Sequence, residues 1–485
     1  MSRRSALRAC LASLAIPSIA ARPCSSRAPA WGTSSESLSR AIGCNVSTAG
    51  SPAFELLRTS WNRCWHSMPV AIAHPRSASE VATVVAWARD SGLPLRIRSG
   101  GHSFIGDSLC DGVIVDMRAL ADVQPGPTPD TLCIGGGALI GDVVSRMFHT
   151  FGGRTCTLGT CNSVGVAGLL LGGGFNAMSR VHALTIDALV AAQVVLADGR
   201  VVRTDARSMP DLFWALRGGG ASFGAVTEMT LRTRPWQPQY LVVQHWPWDR
   251  AADVLTAWSA WISSMPADSS SSLVWITSGT SRSSDIRTII RSERGPAHAD
   301  RIAAGLSAAL RRDPARTSSS VSRPPASANE PRERGPRSAN SSVFGSHAVP
   351  ASAAEAVVAA MEARRSTRGG FGGSTCMLLC NAFGGAVASV PSDATAFAHR
   401  HAEFLCEFGA EWTQEGSQVD SANRSWVRSL ADKVRPSLGS GSYANYADDG
   451  LVGWRHAYWG AHLARLERIK DAIDPTRVFG GKQAI

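Results

Sequence analysis

Two nucleophilic side chains stand in glycine-rich settings. His102 follows two glycines in Arg98-Ser99-Gly100-Gly101-His102-Ser103, and Cys161 lies in Gly159-Thr160-Cys161-Asn162-Ser163-Val164-Gly165-Val166-Ala167-Gly168, a run that continues to Gly172-Gly173-Gly174. Glycine lets backbone N–H groups meet a diphosphate without side-chain obstruction. So many of them imply close backbone approach to something flat or anionic. A third run, Arg217-Gly218-Gly219-Gly220-Ala221-Ser222-Phe223-Gly224-Ala225-Val226, precedes an apolar segment. Three such clusters point to a large cofactor. By itself His102 reads more readily as a structural histidine, because neither the six-residue dinucleotide fingerprint nor a Walker loop is present.

The elements that must carry these loops are mixed. Ser77-Ala78-Ser79-Glu80 offers a serine cap for a helix over Val81 to Ser91. Strands are expected at Leu93 to Ile97, at Val113 to Asp116, within Ile186 to Val202 with a turn at Ala197-Asp198-Gly199-Arg200, and at Thr227 to Leu231. Each glycine cluster therefore borders a strand. Beyond Trp236 come Trp-rich strands, then a Ser-, Pro- and Arg-dense stretch, residues 312–342, that reads as a flexible loop. A helix is expected from Ala394 to Trp412, and a final one from Ala457 to Asp474, ended by Asp474-Pro475.

A chain of 485 residues with 44% hydrophobic and 18% charged content exceeds one ordinary core and reads as a two-unit globular enzyme. No uninterrupted apolar span is long enough for a transmembrane helix. The net charge of +11 comes from scattered arginines, with lysine only at Lys433, Lys470 and Lys482, so no basic stripe for nucleic acid emerges. An anionic substrate stays open. The eleven cysteines show no paired metal-ligand spacing, so no metal site is expected. Residues 1–21, with Arg3-Arg4 before an apolar run and Ser18-Ile19-Ala20 as a cleavage site, read as a twin-arginine signal peptide. Export would permit a disulfide among Cys24, Cys44 and Cys64.

In order and spacing, these segments resemble the berberine bridge enzyme-like family of FAD-linked oxidases, within the vanillyl-alcohol oxidase superfamily. The likeness covers Pro69 to Pro235 and the closing segment, where Tyr443-Ala444-Asn445-Tyr446, Trp454, Tyr458-Trp459-Gly460, Arg465-Leu466, Ile469-Lys470, Asp474-Pro475, Phe479 and Gln483-Ala484-Ile485 match. The resemblance implies an α+β fold: a bilobal PCMH-type FAD-binding domain from residues 40–235 and 440–485, and an inserted antiparallel-sheet substrate domain, residues 236–439, backed by helices. It implies FAD bound twice, through His102 to the 8α-methyl and through Cys161 to ring position 6. The cysteine in this setting marks the bicovalent subgroup, whereas Cys156 lies outside it and reads as a buried small hydrophobe.

The same resemblance makes Arg98, Ser99, Gly100, Gly101, Ser103, Gly159, Thr160, Val164, Gly165, Gly168, Gly172, Gly173, Gly174, Gly224, Val226 and Asn445 cofactor-binding positions. It makes Tyr446 the general base, with Tyr443 beside it, for hydride removal from an alcohol. Asn381 stands where family members carry Asp. It can orient a hydroxyl but cannot take its proton, which leaves Glu407 as a substitute on a stretch read as an exposed helix. Val164, three after the cysteine, gates dioxygen in the family, so an oxidase yielding hydrogen peroxide is expected. The alternatives are a dehydrogenase using another acceptor and, on account of Asn381, a degenerate flavin-binding protein.

Overall fold

The computed structural model describes residues 35–278, 284–325, 335–366 and 373–485. The expected signal peptide and Cys24 lie outside them, and Cys44 and Cys64 are free thiols. The helix Ala78–Asp90 starts three residues earlier than its sequence suggests, because Ser77 Oγ accepts the Glu80 N–H. It buries Val81, Val84, Val85 and Ala88 against a four-stranded sheet in the order Val46–Ser47, Ala71–Ala73, Val113–Asp116, Leu95–Arg98. The last three strands run parallel. A second lobe is an antiparallel five-stranded sheet, Val123–Pro125, Thr131–Gly135, Ala225–Arg232, Leu189–Val195, Val201–Asp205.

A seven-stranded antiparallel sheet forms the rest, ordered Arg316–Val321, Tyr240–His245, Ser284–Ser292, Ser269–Ser278, Thr375–Ala382, Phe404–Trp412, Arg337–Gly345. The helices Ala251–Trp261, Pro296–Leu310, Ala351–Ser366 and Ser417–Leu438 share one core with it. Alternate residues of a strand point to opposite faces. Along the sixth strand Phe404, Cys406, Phe408, Ala410 and Trp412 enter this helix-backed core. Leu405, of the opposite parity, joins the core of the five-stranded lobe, as do Phe344 and Phe383. One face of the sheet thus serves the fold and the other meets the five-stranded lobe.

Three expectations change here. The loop of residues 312–342 contains the exposed edge strand Arg316–Val321 and the start of the buried strand Arg337–Gly345. Serine is small enough to be buried in a sheet interior when its hydroxyl is bonded, so a polar composition hid a strand. The helix Ala394 to Trp412 is irregular to residue 403 and then the strand Phe404–Trp412, whose apolar residues repeat every second position. The final helix is two, Trp454–Trp459 and Leu463–Ile473, separated by a turn whose Gly460 has φ +47°.

Candidate functional site

The strand Leu95–Arg98 releases the first glycine loop. Buried Arg98 donates to the carbonyls of Leu57 at 2.9 Å and Thr59 at 2.7 Å. Ser99 Oγ donates to the Gly136 carbonyl at 2.7 Å, and Ser103 Oγ accepts the Asp107 N–H at 2.9 Å. These side chains, expected at the cofactor, brace the loop instead and leave its backbone and the His102 ring to meet a ligand. Gly101 has φ +74°, and a Cβ there would strike the Arg98 guanidinium. A Cβ on Gly100 would lie 2.3 Å from Gly165 N, and one on Gly165 2.4 Å from Gly100 N. The two loops therefore touch backbone to backbone, which brings the His102 and Cys161 segments together.

His102 is half-buried and stacks on Trp61 at 4.8 Å. Burial, helped by the charge of Arg98, holds its imidazole down at about 4. At neutral pH a ring nitrogen keeps its lone pair, as bond formation to an electrophilic carbon requires. Thr160, Cys161 and Gly168 are exposed, and nothing occupies the space beside Gly168. Half-buried Val164 is fixed by its carbonyl, which accepts the Ile140 N–H at 2.9 Å. A neutral imidazole, an exposed thiol and two loops with bare backbone suit FAD. Bound there, FAD would be held by His102, Cys161 and the backbone of both loops.

Other glycines serve the fold. The space over Gly172 is taken by Asn445 Oδ1, over Gly173 by Phe397, over Gly174 by Thr185, and over Gly224 by Val194. Gly218 and Gly219 pack against Phe397 and Leu466. Their Cα faces, expected at the cofactor, are filled by protein. Val226 contributes through its backbone, against which Gly136 packs beneath Ser99.

The tyrosine segment closes over this region. Tyr443 is buried, and its hydroxyl accepts from Gly174 N at 3.0 Å and Asn445 Nδ2 at 2.9 Å. Asn445 Nδ2 also donates to the Leu169 carbonyl at 2.8 Å. Tyr443 and Asn445 thus anchor Tyr446, whose ring meets Tyr443 at 5.2 Å and Phe104 at 6.2 Å, both edge to face. Phe104 sits two residues beyond His102, so the phenol and the imidazole share one wall.

The carboxyl that acts on the Tyr446 hydroxyl is that of Glu407. This carboxyl, expected on an exposed helix, is buried on a strand, and Asn340 Nδ2 donates to its Oε1 at 2.8 Å. Burial pushes Glu407 up to about 7, against the pull of the Tyr446 hydrogen bond. Burial and the neighbouring Glu407 charge raise Tyr446 well above the ordinary phenol. Asn381 is buried on the same face but bonds elsewhere: Ser272 Oγ donates to its Oδ1 at 2.8 Å, and Arg291 Nη1 donates to Ser272 Oγ at 2.9 Å. Burial lowers Arg291 to about 10, with no opposing carboxylate among its causes. Ser270 Oγ, Ser338 Oγ and Asn340 Oδ1, also on this face, lack protein partners and call for water or a polar ligand. Period-two alternation from Phe404 would have placed Glu407 on a buried strand; no local signal points to Trp61 or Arg291.

Among the described residues no cluster of His, Cys, Asp or Glu is placed to hold a metal ion, and no helix is long and apolar enough to cross a membrane. Residues 69–205 match the family model for an FAD binding domain, and residues 442–485 that for berberine and berberine-like proteins. The FAD-linked oxidoreductase YgaK of Bacillus subtilis is 28% identical, covering 91% of this chain and 96% of its own. Xylooligosaccharide oxidase of Thermothelomyces thermophilus is also 28% identical, covering 86% and 87%. In fold, the glucooligosaccharide oxidase of Acremonium strictum, described with a 6-S-cysteinyl, 8α-N1-histidyl FAD, superposes with a TM-score of 0.81 at 23% identity over 92% of this chain and 100% of its own. Both family models and these likenesses make the chain an FAD-linked oxidoreductase similar to the berberine bridge enzyme-like proteins.

Proposed function

We propose that this enzyme is an exported oxidase that holds FAD through both His102 and Cys161 and oxidises a hydroxyl-bearing carbon of a polar substrate, with a sugar hydroxyl as the leading class. The observation that carries the reading is buried Glu407 acting on half-buried Tyr446 beside the His102 loop. FAD held there would supply the hydride acceptor and the route by which the electron pair reaches dioxygen, giving hydrogen peroxide. Tyr446 receives the substrate hydroxyl proton while its own moves to Glu407. The phenol, held well above its usual pKa, is no reservoir of phenolate; Glu407 at about 7 is matched to accept a proton near neutral pH.

Asn381, with Ser272, orients, and the proton-accepting carboxylate comes from the adjacent strand. This arrangement argues against a degenerate site. Arg291, a half-buried cation with no carboxylate partner among the described residues, favours a substrate bearing negative charge or an electron-rich oxygen. Val164 and the two oligosaccharide oxidases support oxygen as acceptor and carbohydrate as substrate class. A panel of neutral and acidic sugars and of secondary alcohols, followed by peroxide release, tests the reading. Anaerobic reduction by the best donor followed by slow reoxidation in oxygen would sink the oxidase claim in favour of a dehydrogenase.

A further inference from the structure

Cys380 on the strand Thr375–Ala382 lies directly across from Cys406 on the strand Phe404–Trp412. Their sulfur atoms are 2.7 Å apart. Directly opposed residues of an antiparallel pair have Cβ atoms about 4.5–5.5 Å apart, at or beyond the upper limit a disulfide spans, so two thiols meet only when both turn toward one another. Here both do. The other buried thiols have no such neighbour: Cys156 Sγ faces Met147 Sδ at 3.9 Å, and Cys376 faces Ser374 Oγ at 3.9 Å. Cys380 and Cys406 are 0% and 2% exposed, so neither is available to a partner protein or a metal from solution.

We propose that Cys380 and Cys406 are joined by a disulfide that staples the fifth and sixth strands of the seven-stranded sheet behind the reaction site. Asn381 and Glu407 are the next residues along, and their side chains project from the opposite face. The bond therefore fixes the spacing of the strands that carry the orienting amide and the proton acceptor. Two S–H bonds are lost and one S–S bond forms. The two electrons and two protons pass to a peroxide oxidant, so that two thiols and one hydrogen peroxide give the disulfide and two waters. Burial raises the Cys380 thiol, so this uncharged thiol is slow to react once the sheet has closed. Formation belongs to folding in an oxidising compartment or to exposure to peroxide, a small neutral molecule.

The test uses the full-length holoenzyme and no activity measurement, so it stands or falls apart from the oxidase reading. Protein treated with stoichiometric hydrogen peroxide is denatured in an alkylating reagent without reductant, digested and mapped by mass spectrometry. The expected result is a Cys380 peptide linked to a Cys406 peptide, lost on reduction, with Cys156 and Cys376 alkylated. Alkylation of both Cys380 and Cys406 would overturn the proposal. In parallel, wild type should unfold at lower denaturant when reductant is present. C380A/C406A should show no such dependence, and a wild-type midpoint indifferent to reductant would equally overturn the staple.

Discussion

At the scale of single residues, the site turns on which group holds a proton at neutral pH. Only the carboxylate form of Glu407 can accept one. The rate of flavin reduction should therefore rise with pH through about 7 and level off above it. Glu407→Gln should lower that rate by about 10²–10⁴-fold and flatten the pH limb, as measured by anaerobic stopped-flow; an unchanged limb would remove Glu407 from the proton path. Tyr446→Phe should cost about one to three orders of magnitude in the same measurement. His102→Ala and Cys161→Ala should each leave one tether, so that flavin fluorescence stays with the denatured band, while the double variant releases FAD. Free FAD from denatured wild type would contradict both bonds. His102, Cys161 and Tyr446 were legible because each sits in a motif whose spacing survives in the chain. Glu407 was legible only as a substitute on an expected helix, and Arg291 not at all, because their partners come from strands distant in sequence.

At the scale of elements, the contact between the two glycine loops sets the cradle. Gly100→Ala would place a methyl 2.3 Å from Gly165 N, a backbone atom that has no room to retreat without shifting the Cys161 loop. The expected outcome is a protein that folds but carries less flavin, read as a lower ratio of visible flavin absorbance to protein absorbance. Full loading would show that the loops move independently. The elements of the FAD lobe were legible from local signals, as with the Ser77 cap and the apolar run Val113–Asp116. Two elements of the substrate sheet were not. Arg316–Val321 is an edge strand of serine and threonine with no apolar face to announce it, and Phe404–Trp412 hides its alternation behind an alanine-rich lead-in.

At the scale of the whole molecule, a few buried ion pairs hold distant segments in register. Arg400 is 0% exposed and grips Asp187 with two hydrogen bonds, 2.8 and 2.7 Å, joining the segment before the sixth strand to the FAD lobe. Removing one partner leaves a buried charge, so Arg400→Met should lose about 3–5 kcal/mol in denaturant unfolding; a loss under about 1 kcal/mol would show that water reaches Asp187. Buried Lys470 likewise binds Asp474 at 2.6 Å and the Phe479 carbonyl at 2.8 Å, which gives the Asp474-Pro475 signature of the closing segment a physical reason. The seven-stranded sheet carries a further consequence. Residues of one parity build the core and those of the other line the cleft, so Val274, Leu379 and Arg291 can change without disturbing Trp275, Leu378 or Ile290 beneath them. Drift in substrate range is thereby uncoupled from drift in stability, and a lineage built on this sheet can acquire new donors by single substitutions while its scaffold persists.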